Sequence, residues 1–111
     1  MLLDCITDFN PKNDEGATPL HLAAEGGHIG ICTLILNCIK DDKNPKDKSG
    51  STPLHYAASK GRAAVVQLLL ENGASVNAKD TAGMVALHYA ARQEVEPGVV
   101  NILLETNNLD K

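Results

Sequence analysis

The feature that most constrains this chain is that it repeats itself. Gly16, Gly50 and Gly83 fall 34 and 33 residues apart, and His21, His55 and His88 keep those spacings. Asn10, Asn44 and Asn77 do the same. A period of this length marks a stacked solenoid, in which each unit buries its apolar face only against its neighbours. The most regular unit is Asp47 to Lys79, which reads as a turn, a short helix of small residues, a second turn and a longer apolar helix. The spacing predicts an all-α chain of stacked helix-turn-helix units joined by β-turn fingers.

Each unit carries local signals for those elements. Asn13-Asp14-Glu15-Gly16 has the polar, glycine-ended composition of a tight turn. Thr18 and Thr52 are N-cap candidates, and Pro19 and Pro53 suit the first helical position. Leu20, Ala23 and Ala24 sit at i, i+3 and i+4, on one helix face, as do Leu54, Ala57 and Ala58. Gly27 and Gly61 are placed to end these short helices, and Gly73 to end the next. Ile29 to Ile39 reads as a second helix with so little polar surface that burial on most sides is expected. Val65, Val66, Leu68, Leu69 and Leu70 form the matching helix of the central unit.

Two places depart from the pattern. Val85-Ala86 replaces Thr-Pro, so the third short helix loses its hydroxyl cap. Between the helices of that unit, Glu94-Val95-Glu96-Pro97-Gly98 is a longer, acidic connection in which Pro97 suits a helix start. Lys40 to Lys48 is a loop with seven charged residues of nine, read as a solvated finger.

The Thr-Pro-Leu-His-x-Ala motif stands in full at Thr18-Pro19-Leu20-His21-Leu22-Ala23 and at Thr52-Pro53-Leu54-His55-Tyr56-Ala57. It returns with two substitutions at Val85-Ala86-Leu87-His88-Tyr89-Ala90. With Gly73-Ala74-Ser75-Val76-Asn77 in phase, these residues resemble the ankyrin repeat, and the resemblance covers nearly the whole chain. It implies an ankyrin-repeat solenoid forming one domain over residues 1–111. That domain would hold a partial repeat at 1–12 and repeats at about 13–46, 47–79 and 80–111. It also implies a protein–protein interaction module without catalytic residues, with the partner along a concave face formed by the turn tips and the exposed side of the short helices. By position those residues are Asp14, Glu15, Ala17, Glu25 and Gly26; then Lys48, Ser49, Ser51, Ser59 and Lys60; then Thr81, Ala82, Met84, Arg92 and Gln93. They differ in type from repeat to repeat while the inward positions do not, as in a fixed scaffold with interchangeable contacts. Their charge runs from acidic in the first repeat to basic or polar in the others, which suits an extended peptide of matching polarity. A second reading makes the chain the regulatory or targeting segment of a larger enzyme or channel.

Other chemistries find little support. The one-per-repeat histidines are about a helix-packing distance, ~10 Å, apart, too far to share a metal. The resemblance gives them hydrogen bonds within and between turns. The glycines are scattered one per turn, which leaves no phosphate-cradling loop. Tyr56 and Tyr89, with no Trp, fall short of an aromatic cage for methylated lysine, and packing is the expected role for both. Asn77 resembles the asparagine that hydroxylases modify in this family. No metal, cofactor or small-molecule substrate is therefore expected.

A net charge of −4 with interspersed signs argues against a nucleic-acid partner. No apolar run is long enough for membrane insertion. Cys5, Cys32 and Cys38 are an odd set without metal spacing, and all three are expected to be reduced, in cytoplasm or nucleus. Residues 1–9 lack the basic start and apolar stretch of a signal peptide.

Overall fold

In a computed structural model, residues 12–38, 44–92 and 97–109 are described. The expected partial repeat (Lys12 excepted), Lys40 to Lys43 of the charged loop and Glu94 to Glu96 of the acidic connection lie outside these residues. The described residues form six successive helices: α1 (Pro19–Gly26), α2 (Ile29–Cys38), α3 (Pro53–Ser59), α4 (Ala63–Glu71), α5 (Ala86–Ala91) and α6 (Pro97–Leu109). Among the described residues there is no strand. Each short helix packs on the longer one that follows it, α1 on α2, α3 on α4 and α5 on α6. The pairs then stack in two layers, α1–α3–α5 on one side and α2–α4–α6 on the other.

The helix starts are made as their residues suggest. Thr18 is the extended N-cap of α1 and Thr52 that of α3; each hydroxyl accepts from the backbone N–H three residues on. Proline follows each cap, where its missing N–H costs nothing. Gly27 closes α1 in the left-handed conformation at φ 75°, and the His28 N–H reaches back to the Ala23 carbonyl. At α5 the cap is Val85, which offers no hydroxyl, so the His88 N–H closes onto the Val85 carbonyl at 3.0 Å instead. Pro97 opens α6.

One core runs through the stack. Leu20, Leu54, Val65, Val66, Leu69, Val99 and Leu103 are almost fully buried, with Ala24, Ala57, Ala58 and Ala90 between them. The alanines let α1, α3 and α5 approach closely, and the branched residues of α4 and α6 fill the other layer. The second helix departs from expectation. Cys32, Ile35 and Leu36 are buried, but Ile29, Ile31 and Leu34 are about half exposed, at 43%, 52% and 51%. The reason is that α2 packs on α1 and α4, which cover one side of it.

The cysteines also differ from the reduced set expected. Cys32 is a buried free thiol, and burial pushes its pKa up. Cys38 is disulfide-bonded. Cys32 and Cys38 are therefore not paired with each other.

Candidate functional site

Three fingers, one before each short helix, carry the exposed polar face. Each is built around one carboxylate or amide. Asn13 Oδ1 accepts from the N–H groups of Glu15 (2.9 Å) and Ala17 (3.0 Å). Asp47 Oδ1 accepts from Ser49 and Ser51, and Asp80 Oδ1 from Ala82 and Met84, each at 2.9 Å. The turn is completed by Gly16, Gly50 and Gly83 at φ 76–79°. At Gly50 the requirement is double: φ is positive, and a Cβ would sit 3.0 Å from the Thr81 backbone N of the next finger. That proximity exists because the fingers are tied together. Lys48 N–H donates to the Glu15 carbonyl (3.0 Å), and Thr81 N–H to the Ser49 carbonyl (2.9 Å).

Behind the fingers, histidines lock one repeat to the next. Thr18 N–H donates to His21 Nδ1 at 2.9 Å, so Nδ1 is the acceptor and the proton sits on Nε2. Nε2–H then donates to the Ser51 carbonyl of the following repeat at 2.7 Å. His55 repeats the arrangement with Thr52 N–H (3.0 Å) and the Met84 carbonyl (2.9 Å). Both rings are buried, and the expected hydrogen bonds within and between turns are present. His28 is exposed.

The tyrosines do more than pack. Tyr56 hydroxyl donates to Asp47 Oδ2, and Tyr89 hydroxyl to Asp80 Oδ2. Each ring also meets the histidine of the preceding repeat edge-on: Tyr56 against His21 at 4.7 Å and Tyr89 against His55 at 5.6 Å between centroids. Repeat one has Asn13 and Leu22 in these two places. Asp and Tyr therefore appear together, nine residues apart, and are replaced together. That internal pairing is the signal by which the sequence could have revealed the contact.

These contacts set the titration behaviour. Burial pulls the carboxyls of Asp47 and Asp80 upward. Hydrogen bonds from the tyrosine hydroxyl and two backbone N–H groups outweigh it and hold both below the ordinary value of 3.8. Burial lowers His21 from its ordinary 6.5, against the opposing pull of the Ser51 carbonyl. Tyr56 is pushed up from 10, by burial first, then by its bond to Asp47 and the negative charges of Asp47, Glu15 and Glu25.

Acid should therefore destabilise the fold in two stages. A buried His with a lowered pKa stabilises the folded state above its unfolded value, so its contribution fades as pH falls from about 6.5. The two aspartates contribute above 3.8, and their share is lost as pH falls through their depressed values. Melting temperature followed against pH should show both losses. Asp47→Asn with Asp80→Asn should flatten the lower stage, with a smaller change in the upper one because the Asp47 charge also acts on His21.

Between the first two repeats the fingers and short helices enclose an open groove of about 390 Å³. It brings together five residues expected at the partner face, Glu15, Glu25, Ser49, Ser51 and Ser59. It also includes Leu22, Asp47, His55, Tyr56 and Tyr89, which that expectation passed over. Asp14, Gly26, Lys48, Lys60, Thr81, Ala82 and Arg92 are exposed outside the groove lining, and Met84 is half-buried. Ala17 is the exception: it is 3% exposed, its methyl covered, while Ser51 and Met84 at the same place in their fingers stay partly exposed. Gln93 lies outside the described residues. Among the described residues no group of three or more His, Cys, Asp or Glu could hold a metal ion, and no helix is long and apolar enough to cross a membrane.

Comparison with curated proteins finds no match. A family model described as ankyrin repeats (3 copies) matches residues 1–80 and 42–111. Ankyrin repeats are a non-catalytic fold that generally binds other proteins. The period, the capped Thr-Pro helices, the histidine links and the family match agree: the chain belongs to the ankyrin-repeat family.

Proposed function

We propose that the chain binds a protein or extended peptide along the face formed by its fingers and by α1, α3 and α5, acting as a binding module and not as an enzyme. The observation that carries this reading is the groove of about 390 Å³ between repeats one and two. Its walls are mostly residues that vary between repeats, while the constant residues point to the core. The fingers are fixed by backbone bonds to one another, so the face is organised before a partner arrives, which lowers the entropy cost of binding. The repeats we assign are 13–46, 47–79 and 80–111 after a partial unit at 1–12, within one domain. Nucleic acid and small-molecule substrates are outside this proposal, because the net charge is −4 and the groove is shallow and open.

The test is selection of short peptides from a displayed random library, followed by affinity measurement on variants. Ser49→Trp and Leu22→Trp fill the groove from exposed positions and should each weaken binding by about tenfold or more. Gln67→Trp, on the exposed side of α4, should change nothing. Equal binding by all three would place the partner elsewhere.

A further inference from the structure

Two consecutive repeats present the same tyrosine in different surroundings. In repeat three, the Arg92 guanidinium lies over the Tyr89 ring, 5.6 Å from its centroid. This is cation–π range, so the chain supplies its own cation to that ring. One repeat earlier, Ser59 stands where Arg92 does, three residues after Tyr56. Serine is short and neutral and brings no cation to the Tyr56 ring.

The surroundings of Tyr56 are also more acidic. Glu15, Glu25 and Asp47 line the same groove as Tyr56, and all three charges bear on its phenol. Asp47 holds its own finger together, so its position is fixed. Arg62 is near but is turned to the Glu25 backbone carbonyl, to which its Nε–H donates at 2.9 Å. Leu22, 48% exposed, adds an apolar wall on which an aliphatic stem can lie.

We propose that the groove between repeats one and two receives an arginine side chain of an extended peptide, its guanidinium over Tyr56 and between Glu15, Glu25 and Asp47. Arginine fits better than lysine. Its flat group can lie over a ring while its N–H fork reaches carboxylates at the edge, and it sheds water more readily. The arrangement copies what Arg92 does at Tyr89. The inference rests on the concave-face reading and adds the chemistry of the residue that is recognised.

The same selected peptides test it. Arginine should recur at one fixed position among them. Replacing that arginine with citrulline, a neutral group of the same shape, should weaken binding by about tenfold or more. Ser59→Arg should do likewise, because it supplies Tyr56 with an internal cation. The double variant Glu15→Gln with Glu25→Gln should weaken the arginine peptide while leaving the citrulline peptide unchanged. Circular dichroism melts should match wild type for both variants. Should Ser59→Arg melt early, the glutamate pair decides between the two outcomes. Peptides selected without arginine, or equal affinity for the citrulline form, would overturn the arginine site. Groove-filling by Ser49→Trp would still weaken such peptides if the concave-face reading is right. Failure to select any peptide would count against both.

Discussion

Leu69→Ala is expected to abolish cooperative thermal unfolding. Leu69 is 1% exposed and lies in α4, the middle helix of its layer, which packs against both α2 and α6. Truncation of a buried leucine costs about 2–5 kcal/mol, from lost transfer energy and the cavity left behind. Whole small domains have only about 5–15 kcal/mol in hand. In a solenoid the loss is worse placed than in a globule, because each repeat is held only by its neighbours. Removing the centre weakens the contacts of both flanking repeats at once. Calorimetry should show a broad, low-enthalpy transition or none. Gln67→Ala, two residues away on the exposed side of the same helix, should melt within a degree or two of wild type. An unchanged transition in Leu69→Ala would show that this position is not core.

His55→Ala is the second large effect, and it acts through polar groups. The ring takes the Thr52 N–H on Nδ1 and gives its Nε2 proton to the Met84 carbonyl, across the junction of repeats two and three. Alanine leaves the buried Thr52 N–H unpartnered and takes away one of two donors to the Met84 carbonyl, which keeps the Asp80 N–H at 3.0 Å. An orphaned buried N–H costs about 1–3 kcal/mol, and the lost bond to the carbonyl about 0.5–1.5 kcal/mol. The expected total is therefore about 1.5–4.5 kcal/mol, concentrated at one junction. Hydrogen exchange should show repeat three opening at lower free energy than repeat two. His88→Ala is the internal control. His88 is exposed and takes the Val85 N–H on Nδ1, but no bond from it to another repeat is present among the described residues. It should cost about 1 kcal/mol or less, the worth of one exposed hydrogen bond. Equal losses at His55 and His88 would mean that the cross-repeat bond contributes little.

Much of the fold was legible because its signals are local and recur. A threonine cap followed by proline, then small residues at helical spacing, then glycine, dictates α1 and α3 without long-range information. The match of Thr18 and Thr52 to their capping roles, and of Gly27 to its left-handed end, follows from that. What was not legible depends on which neighbour covers which side. The second helix has apolar residues nearly all round, and no count of them reveals that Ile31 and Leu34 stay half exposed. Position in a turn puts Ala17 at the partner face, but its methyl is covered where the equivalent Ser51 and Met84 stay partly exposed. Taken singly, Tyr56 and Tyr89 look like packing residues. Their roles appear only when each is paired with the aspartate nine residues before it and with the histidine of another repeat.

The residues that vary and the residues that hold the array are interleaved in the fingers. Asp47 and Gly50 make the turn, while Lys48, Ser49 and Ser51 alternate with them. Backbone bonds from finger to finger fix the spacing of those side chains. A change of side chain at the variable places leaves the ladder intact, which is how one scaffold can present different contacts.

The most direct measurement is a map of where a selected peptide touches the chain, taken from backbone amide shifts during an NMR titration. The expected result is a continuous track through Glu15, Ser49, Ser51, Tyr56 and Ser59, with the exposed side of α4 unmoved. Shifts confined to α2, α4 and α6, with the fingers silent, would contradict the assignment of the binding face.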